Sequence, residues 1–145
     1  ESLLVDTVEL SKFSSLDELD LATISLPTSI SNETTADDIN LAFTLYTQST
    51  LFPIRDSVPD TVVGSSVISA SVGGIPDGTV LSDNVTVNLR IVVENATNHR
   101  CVYWDFTAAD GRGNWSIVNC TTTVDPDTND TVTCSCNHLT TLPAL

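Results

Sequence analysis

A histidine, a leucine and a threonine follow one another near the end of the chain, at His138, Leu139 and Thr140. Breaking an amide bond without an external protease requires a nucleophile beside the scissile carbonyl and a base that removes its proton. Thr140 can supply the hydroxyl nucleophile and His138 the imidazole base, with the carbonyl of Leu139 as the scissile group. The triplet therefore predicts a self-cleaving bond between Leu139 and Thr140.

The predicted cleavage requires a bend in the backbone at Leu139. In a regular strand His138 and Thr140 would share a face with their backbones about 6.6 Å apart, too far for a hydrogen bond between two short side chains. A tight kink would bring the imidazole to the hydroxyl and direct the hydroxyl oxygen at the carbonyl carbon. The acyl group would move from nitrogen to oxygen, and water would then hydrolyse the ester. Such a reaction is a single turnover in cis, not a turnover enzyme's cycle, and it needs no cofactor.

Four cysteines lie in the last third of the chain, at Cys101, Cys120, Cys134 and Cys136. An even number of clustered cysteines indicates disulfide bonds. Of the three pairings of four cysteines, one joins Cys134 to Cys136 and would close a strained small ring, so two pairings remain. A zinc site is the competing interpretation. It fits poorly, because the single residue between Cys134 and Cys136 is less than the usual spacing of about two to four.

The asparagines follow a pattern typical of secreted glycoproteins. Six of the ten begin an Asn-X-Ser/Thr sequence, the acceptor for N-glycosylation: Asn32, Asn84, Asn95, Asn114, Asn119 and Asn129. The alternative is that several of them simply form turns. We expect about half to carry glycans. Together with the cysteines, these sites predict a location outside the cytosol.

The negative charge excludes one class of partner. The chain has 19 acidic and 5 basic residues, and its formal net charge of −14 repels the phosphate backbone of nucleic acids. No binding of nucleic acid is therefore expected. The acidic residues between Asp125 and Asp130 lack the regular ligand pattern of a calcium loop, so no metal site is predicted.

The hydrophobic pattern is mainly that of β-strands. Apolar and polar residues alternate most clearly in 39–46 and 85–93. Further strands are predicted at 24–26, 67–72, 102–106, 115–118 and 132–134. Turn signals of glycine, proline and aspartate separate these segments. The chain therefore predicts a mainly β fold, an antiparallel β-sandwich.

Other segments have less distinctive patterns. Residues 1–22 fit either a helix or a pair of short turns and strands, and residues 29–38 are predicted to form an exposed loop. Alternate residues Val102, Trp104 and Phe106 are expected to point inward. Trp104 and Trp115 are interpreted as core residues or as residues that pack on a disulfide. His99 lies in a polar stretch and is assigned no role.

The cysteines, the tryptophans and the cleavage triplet together match a known motif. Their order is Cys101-Val-Tyr-Trp104, Gly113-Asn-Trp115, Cys120, and Cys134-Ser-Cys136-Asn-His138-Leu-Thr140. This order and spacing resemble the GPCR proteolysis site, the cleavage motif at the end of the GAIN domain in adhesion G-protein-coupled receptors. Strand-like segments from residue 39 onward also resemble that domain.

The resemblance implies a domain organisation and a disulfide pattern. Residues 23–145 would form the β-sandwich second subdomain, subdomain B, with the proteolysis motif at 101–145. Residues 1–22 would be its first elements or the remnant of a preceding helical subdomain. In the family the first cysteine is bonded to the third and the second to the fourth, which implies the disulfides Cys101–Cys134 and Cys120–Cys136.

The resemblance also implies a function. Receptors of this family cleave themselves between the leucine and the threonine, and the new amino-terminal strand stays docked until it is released as a tethered agonist. In this chain that strand is Thr140-Thr141-Leu142-Pro143-Ala144-Leu145. The implied partners are a seven-helix membrane portion of the same protein and extracellular protein ligands. The implied location is the extracellular face of the plasma membrane.

Pro143 departs from the family pattern. A proline cannot donate a hydrogen bond within a sheet, so either its nitrogen faces away from a neighbour or the strand ends there. This residue favours an alternative function, a structural adhesion domain of the same fold that never cleaves, shields the strand and transmits force through an intact chain. The complete His138-Leu139-Thr140 triplet favours cleavage.

Overall fold

The computed structural model of this chain describes residues 7–9, 22–27, 29–33, 41–46, 48, 50–54, 61–76, 78–139 and 141–145. Within them the elements are, in chain order, β1 (Thr7–Glu9), β2 (Ala22–Ser25), α1 (Ile30–Glu33), β3 (Leu41–Tyr46), β4 (Val67–Val72), β5 (Val85–Arg90), β6 (Tyr103–Asp105), α2 (Ala108–Gly111), β7 (Asn114–Ser116), β8 (Cys120–Val124), β9 (Thr131–Cys136) and β10 (Thr141–Leu142). Neither of these helices is long or apolar enough to cross a membrane.

Five antiparallel strands form the larger sheet, in the order β1-β2-β5-β9-β8. The central strands β5 and β9 pair over their whole length, from Val85 opposite Cys136 to Arg90 opposite Thr131. Both alternate buried with partly buried side chains, which is the period-2 pattern of a sheet with one face in the core. Their buried residues are Val85, Val87, Leu89, Val132, Cys134 and Cys136.

The second sheet contains β10, β4 and β3, with β4 in the middle. On the other side of β10 lies the segment that leads into β6, where Arg100 and Leu145 exchange two backbone hydrogen bonds of 2.9 and 2.8 Å. β6 pairs in turn with β7. The segment from Thr141 to Leu145 therefore lies in the interior of this layer, with a neighbour on each side.

The two layers pack face to face over a common hydrophobic core. Ile24 and Leu89 contribute to it from the larger sheet, and Ile68 and Val72 from the second. Burying an aliphatic side chain of this size stabilises the fold by about 1.5–3 kcal/mol relative to its exposure. The mainly β, antiparallel architecture that the sequence predicts is confirmed.

Four aromatic rings form a second cluster beside this core. Trp104 and Trp115 are cross-strand partners with ring centroids 4.9 Å apart. Phe52 contacts both of them, at 5.5 and 5.8 Å, and Tyr46 contacts Phe52 at 5.3 Å. Gly113 makes the approach of Trp104 feasible, because a Cβ atom at this position would lie 2.5 Å from the indole ring.

The observed strands differ from the predicted ones at several points. β8 was not predicted, because its sequence Cys-Thr-Thr-Thr-Val places mostly exposed threonines on an edge strand and so lacks an apolar alternation. Phe106, predicted to point inward, is 59% exposed. The reason is that β6 ends at Asp105, whose carboxylate accepts hydrogen bonds from the backbone nitrogen and hydroxyl of Thr107 and so starts a turn.

The amino-terminal predictions are resolved only in part. The first short strand, β1, lies in the stretch for which a helix or short strands were predicted, at the edge of the larger sheet. The exposed loop predicted at 29–38 is wrong for 30–33, where α1 forms and buries Ile30. Residues 34–40, including the start of the strand predicted at 39–46, lie outside the described residues.

Candidate self-cleavage site

His138 and Leu139 lie just after β9, in the interior of the molecule, with their side chains 5% and 3% exposed. Asn137, the residue before them, is held by two backbone hydrogen bonds. The backbone nitrogen of Asn137 donates to the carbonyl of Asn119 at 3.4 Å, and its carbonyl accepts from the nitrogen of Leu81 at 2.7 Å. Thr140, the predicted nucleophile, lies outside the described residues.

The imidazole of His138 is held between an aromatic ring and a disulfide. The ring of Tyr103 meets it edge to face, with centroids 4.4 Å apart and an interplanar angle of 66°. On another side, Nε2 lies 4.0 Å from the sulfur of Cys120. These contacts come from β6 and β8, so both layers of the sandwich fix the ring.

The two ring nitrogens of His138 differ in their surroundings. Nε2 lies 4.0 Å from the Cys120 sulfur, whereas Nδ1 is buried and has no hydrogen-bond partner among the described residues. In a neutral imidazole one ring nitrogen is a donor and the other is an acceptor. The nitrogen without a hydrogen is the one that can take a proton.

Burial also sets the protonation state of His138. Removal of the ring from water lowers its pKa below the ordinary value of 6.5, and a hydrogen bond with the backbone of Val118 opposes this shift only in part. The neutral form of the imidazole is thus favoured at neutral pH. A general base must be in this form to accept a proton.

The four cysteines form two disulfides, Cys101–Cys134 and Cys120–Cys136, so the zinc interpretation is excluded. Cys120 and Cys136 are direct partners in the β8–β9 ladder. Cys101 lies beside Ala144 in the second layer and Cys134 in the larger sheet, so this bond joins the two layers. Both bonds lie on the amino-terminal side of Leu139.

The segment after Thr140 is bound by both of its neighbours. On one side Thr141 pairs with Ser69 and Leu142 with Ile68 of β4, and the Thr141 hydroxyl donates to that of Ser69 at 3.2 Å. Farther along, the carbonyl of Ala144 accepts from the nitrogen of Gly64 at 2.8 Å. The nitrogen of Ala144 instead donates to a side chain, the hydroxyl of Ser65, at 2.8 Å.

Pro143 directly follows β10 and is fully buried. Its carbonyl accepts a hydrogen bond from the nitrogen of Val102 at 3.3 Å, and the chain continues to Leu145 with paired backbone groups. Because Arg100 and Leu145 exchange two bonds, Val102 and Pro143 are the next hydrogen-bonded pair of the antiparallel ladder. The nitrogen of Pro143 thus faces Val102, where it cannot donate a bond. Of the two alternatives predicted for this proline, the end of the strand is confirmed, because β10 ends at Leu142, and a nitrogen that faces away from its neighbour is wrong.

The six glycosylation acceptors differ in exposure. Asn114 is only partly exposed, and its side-chain oxygen accepts a bond from the nitrogen of Trp115, whereas the other five are exposed. Asn95, Asn119 and Asn129 have φ angles of 59°, 60° and 55°, so they occupy left-handed turns. Their use as turn residues is compatible with glycosylation, which stays a prediction for all six.

The remaining candidates are separate from this site. The 125–130 segment is a turn in which the Asp125 carboxylate accepts from the nitrogen of Asp127 at 2.9 Å. Across the part of the chain that the structure describes, no group of three or more potential ligands could hold a metal ion. His99 is buried, in contrast to the polar surroundings of its sequence, and does not contact the cleavage triplet in any described interaction.

Three residues of the site were not identified from the sequence: Tyr103, Val118 and Ser65. Tyr103 carries a signal, since it adjoins Trp104 in the motif and a period of 2 directs the two side chains to opposite faces. No signal in the sequence marks Val118 or Ser65, because each acts on a residue that is distant along the chain.

Comparison with known proteins places this geometry in a family. A family model described as GPS, GAIN subdomain B, matches residues 4–144. This chain belongs to the GAIN subdomain B family. Among curated proteins, adhesion G-protein coupled receptor G2 is 35% identical in human over 88% of the chain and 33% identical in mouse over 85%. Rat adhesion G protein-coupled receptor F5 is 38% identical over 46% of the chain.

The GAIN subdomain B chain is much shorter than these relatives, spanning 13% and 12% of the human and mouse G2 receptors. Its fold is similar to part of a solved structure, the full extracellular region of zebrafish Gpr126/Adgrg6. The TM-score is 0.69 at 24% identity, over 86% of this chain and 17% of that one. At this identity the similarity establishes the fold.

Proposed function

We propose that this domain is the extracellular, self-cleaving module of an adhesion G-protein-coupled receptor. It cuts itself once, between Leu139 and Thr140, and keeps the segment from Thr140 to Leu145 bound without a covalent link. On release, that segment acts as a tethered agonist on a seven-helix membrane portion of the same protein. The names of the G2 and F5 relatives support the receptor class.

The observation that carries the proposal is the state of His138. Its ring is buried next to Leu139, burial lowers the pKa of the imidazole and so favours its neutral form, and Nδ1 has no partner in the described part of the chain. A neutral imidazole beside the scissile carbonyl is the form that a general base requires. The proposal assigns His138 as the base that receives the proton of the Thr140 hydroxyl.

The reaction proceeds in two steps. His138 takes the hydroxyl proton while the oxygen of Thr140 attacks the carbonyl carbon of Leu139, and the carbon–nitrogen bond breaks as the proton passes to the nitrogen. Water then hydrolyses the ester and gives a Leu139 carboxylate and a free amino group on Thr140. Fixed proximity supplies about 7–11 kcal/mol and the general base about 10²–10⁴-fold, which is enough for a single slow turnover.

Retention of the cut strand is supported by its position in the second layer. Its backbone is bonded to Gly64 on one side and to Arg100 and Val102 on the other. Both disulfides lie before the break, so they stabilise the body of the domain and leave the strand noncovalently held. This combination fits a strand that stays in place after cleavage and can still be released.

The wider assignments follow from the receptor class. We place the domain on the extracellular face of the plasma membrane, with further extracellular proteins as ligands and glycans on about half of the acceptor asparagines. The two disulfides agree with an oxidising compartment. Residues 23–145 would be subdomain B, and residues 1–22 its first elements or part of a preceding subdomain.

Intact-mass spectrometry of the deglycosylated protein under denaturing conditions tests the proposal. We expect the mass to fall by that of the six residues from Thr140 to Leu145. Thr140→Ala and His138→Ala should both give a single full-length mass. His99→Ala is the matched control, because it removes the other buried histidine and should still cleave.

A full-length mass for the wild type under all conditions would contradict self-cleavage. It would support the alternative of an intact, force-transmitting domain. Cleavage in the wild type and in His138→Ala alike would retain the reaction but reject His138 as its base.

A further inference from the structure

A groove lies beside the end of the Thr141–Leu145 segment. Leu145 and Val102, which belong to neighbouring chain segments of the second layer, form part of its wall. The volume of the cavity is about 790 Å³, within the range of about 300–1,000 Å³ that is usual for ligand sites. His138 and Leu139 do not line it, so the groove is separate from the candidate cleavage site.

The groove has an apolar surface that is open to solvent. Val62 and Ile117 line it with side chains that are 49% and 56% exposed, and the partly buried Trp115 lies in the same wall. Glu94 and Arg100, both exposed, add one charge of each sign. An apolar surface with a few polar groups at its rim is typical of a surface that another group covers.

One of the glycosylation acceptors opens onto this groove. Asn95 and Thr97, the first and third residues of an Asn-Ala-Thr acceptor, both line it with exposed side chains. Asn95 lies in a left-handed turn, with a φ of 59°. Asn114 also lines the groove, but it is only partly exposed, and its side-chain oxygen accepts a bond from the nitrogen of Trp115. Asn95 is therefore the better placed of the two acceptors.

We infer that Asn95 carries an N-linked glycan whose first sugar rings lie in this groove, against Ile117 and Leu145. This inference rests on the extracellular location proposed above and does not require self-cleavage. A lipid diphosphate-linked oligosaccharide supplies the glycan. The side-chain nitrogen of Asn95 forms a bond to the anomeric carbon of the first N-acetylglucosamine and loses a proton, and the lipid diphosphate leaves.

The chemistry of the sugar fits the lining of the groove. An N-acetylglucosamine ring presents C–H groups on its faces and carries an acetyl methyl, which suits the side chains of Trp115 and Ile117. Its hydroxyl groups can bond to the charged groups of Glu94 and Arg100 at the rim. Removal of the apolar surfaces from water favours this position of the sugar. A glycan in the groove also covers Leu145 and so holds the end of the Thr141–Leu145 segment.

Two measurements on uncleaved Thr140→Ala protein, secreted from eukaryotic cells, test the inference directly. Mass spectrometry of glycopeptides should show Asn95 occupied. Nuclear magnetic resonance of protein with isotope-labelled sugars should show nuclear Overhauser effects between the acetyl methyl of the first sugar and the side chains of Ile117 and Trp115. A glycan without such contacts would overturn the inference.

Exposed apolar residues provide a matched pair of variants. Ile117→Ser removes an apolar side chain of the groove, whereas Val80→Ser removes one that is 65% exposed and does not line it. Release of the Asn95 glycan from the folded protein by a peptide N-glycanase should be about fivefold or more faster in Ile117→Ser, because the serine lacks the apolar contact. In Val80→Ser the rate should stay within about twofold of that without the substitution. Equal rates in both variants would contradict a seated glycan.

Variants of Thr97 separate the glycan from the turn, because they leave Asn95 unchanged. Thr97→Ser keeps the acceptor sequence and Thr97→Ala removes it. The midpoint of thermal unfolding should be about 2–4 °C lower for Thr97→Ala than for glycosylated Thr97→Ser. Asn84→Gln removes an exposed acceptor at the opposite end of β5 and should change the midpoint by less than about 1 °C. Equal midpoints for the two Thr97 variants would count against the inference.

The two proposals fail in different ways. If the protein is not secreted and none of the six acceptors is occupied, the proposed extracellular location fails, and the inference fails with it. If other acceptors are occupied and Asn95 is bare, only the inference fails, and the groove is open to a protein ligand. A wild type that never cleaves changes none of these measurements, since all of them use the uncleaved protein.

Discussion

The hydroxyl oxygen of Ser65 accepts a 2.8 Å hydrogen bond from the backbone nitrogen of Ala144, and both residues are buried. The Ser65 side chain thus accepts the hydrogen bond that a backbone carbonyl of a neighbouring strand would normally accept. Ser65→Ala leaves this nitrogen buried and unpaired, at a cost of about 1–3 kcal/mol. We expect the cleaved strand to dissociate about 5–150-fold faster from this variant, measured as fragment loss at a fixed urea concentration.

Ser69→Ala is the comparison for that measurement. It removes only the 3.2 Å bond between hydroxyl groups of Ser69 and Thr141 and leaves no backbone group unpaired. Its effect should therefore be smaller. A larger effect than that of Ser65→Ala would contradict the importance of the Ala144 bond.

The pH dependence of cleavage should reflect the burial of His138. The base acts in its neutral form, and burial lowers its pKa below 6.5. The cleavage rate should therefore still exceed half of its maximum at pH 6.5 and fall with a midpoint below that value, as read from a time course of uncleaved precursor. A midpoint above 6.5 would show that the ring is not buried in the reacting state.

The same shift links folding stability to pH. Because the folded-state pKa of His138 lies below that of the unfolded chain, its contribution to stability is complete above about pH 6.5. It is lost as the pH falls from there through the folded-state value, since only the unfolded chain takes up the proton. Urea unfolding of uncleaved Thr140→Ala protein should show this loss, and a further His138→Gln substitution should reduce it.

Tyr103 is expected to orient the imidazole through its ring. Tyr103→Ala removes the edge-to-face contact of 4.4 Å and should slow cleavage by about tenfold or more. Tyr103→Phe keeps the ring and should cleave at close to the normal rate. Equal slowing in both variants would assign the effect to the phenolic hydroxyl instead.

Gly113 is expected to be required for stability. Its φ is 81°, and a Cβ atom there would lie 2.5 Å from the ring of Trp104. Gly111 has a φ of 82° but open space around it, so Gly111→Ala reports the backbone strain alone. Gly113→Ala should destabilise the domain by about 1–3 kcal/mol more than Gly111→Ala, in thermal or urea unfolding of both variants.

Strands in which apolar and polar residues alternate clearly could be predicted from the sequence. Strands without this alternation could not. β5 alternates apolar and polar residues, and it was predicted at 85–93 against the observed Val85–Arg90. β8 was not, because its pairing with β9 is set by the partner strand and by the Cys120–Cys136 bond. The end of β6 depends on the Asp105–Thr107 turn, so Phe106 was wrongly placed inside.

Within the candidate site, the sequence identifies the residues that could react. It does not identify the residues that fix their positions. His138 and the cysteines are recognisable from residue type and spacing. The Tyr103 ring that packs on the imidazole and the Ser65 hydroxyl that binds Ala144 both act on residues distant in sequence. The fit of Pro143 was also unpredictable, since the register of the Arg100–Leu145 pair decides which way its nitrogen faces.

The interior position of the Thr141–Leu145 segment has a consequence for the domain that remains after release. Departure of this strand would open a slot between β4 and the segment leading into β6, lined by the unpaired nitrogens of Gly64, Arg100 and Val102. Two facing strand edges of this kind are a template for any extended peptide, including the same strand of another molecule. A bound strand therefore also protects the domain against self-association through these edges.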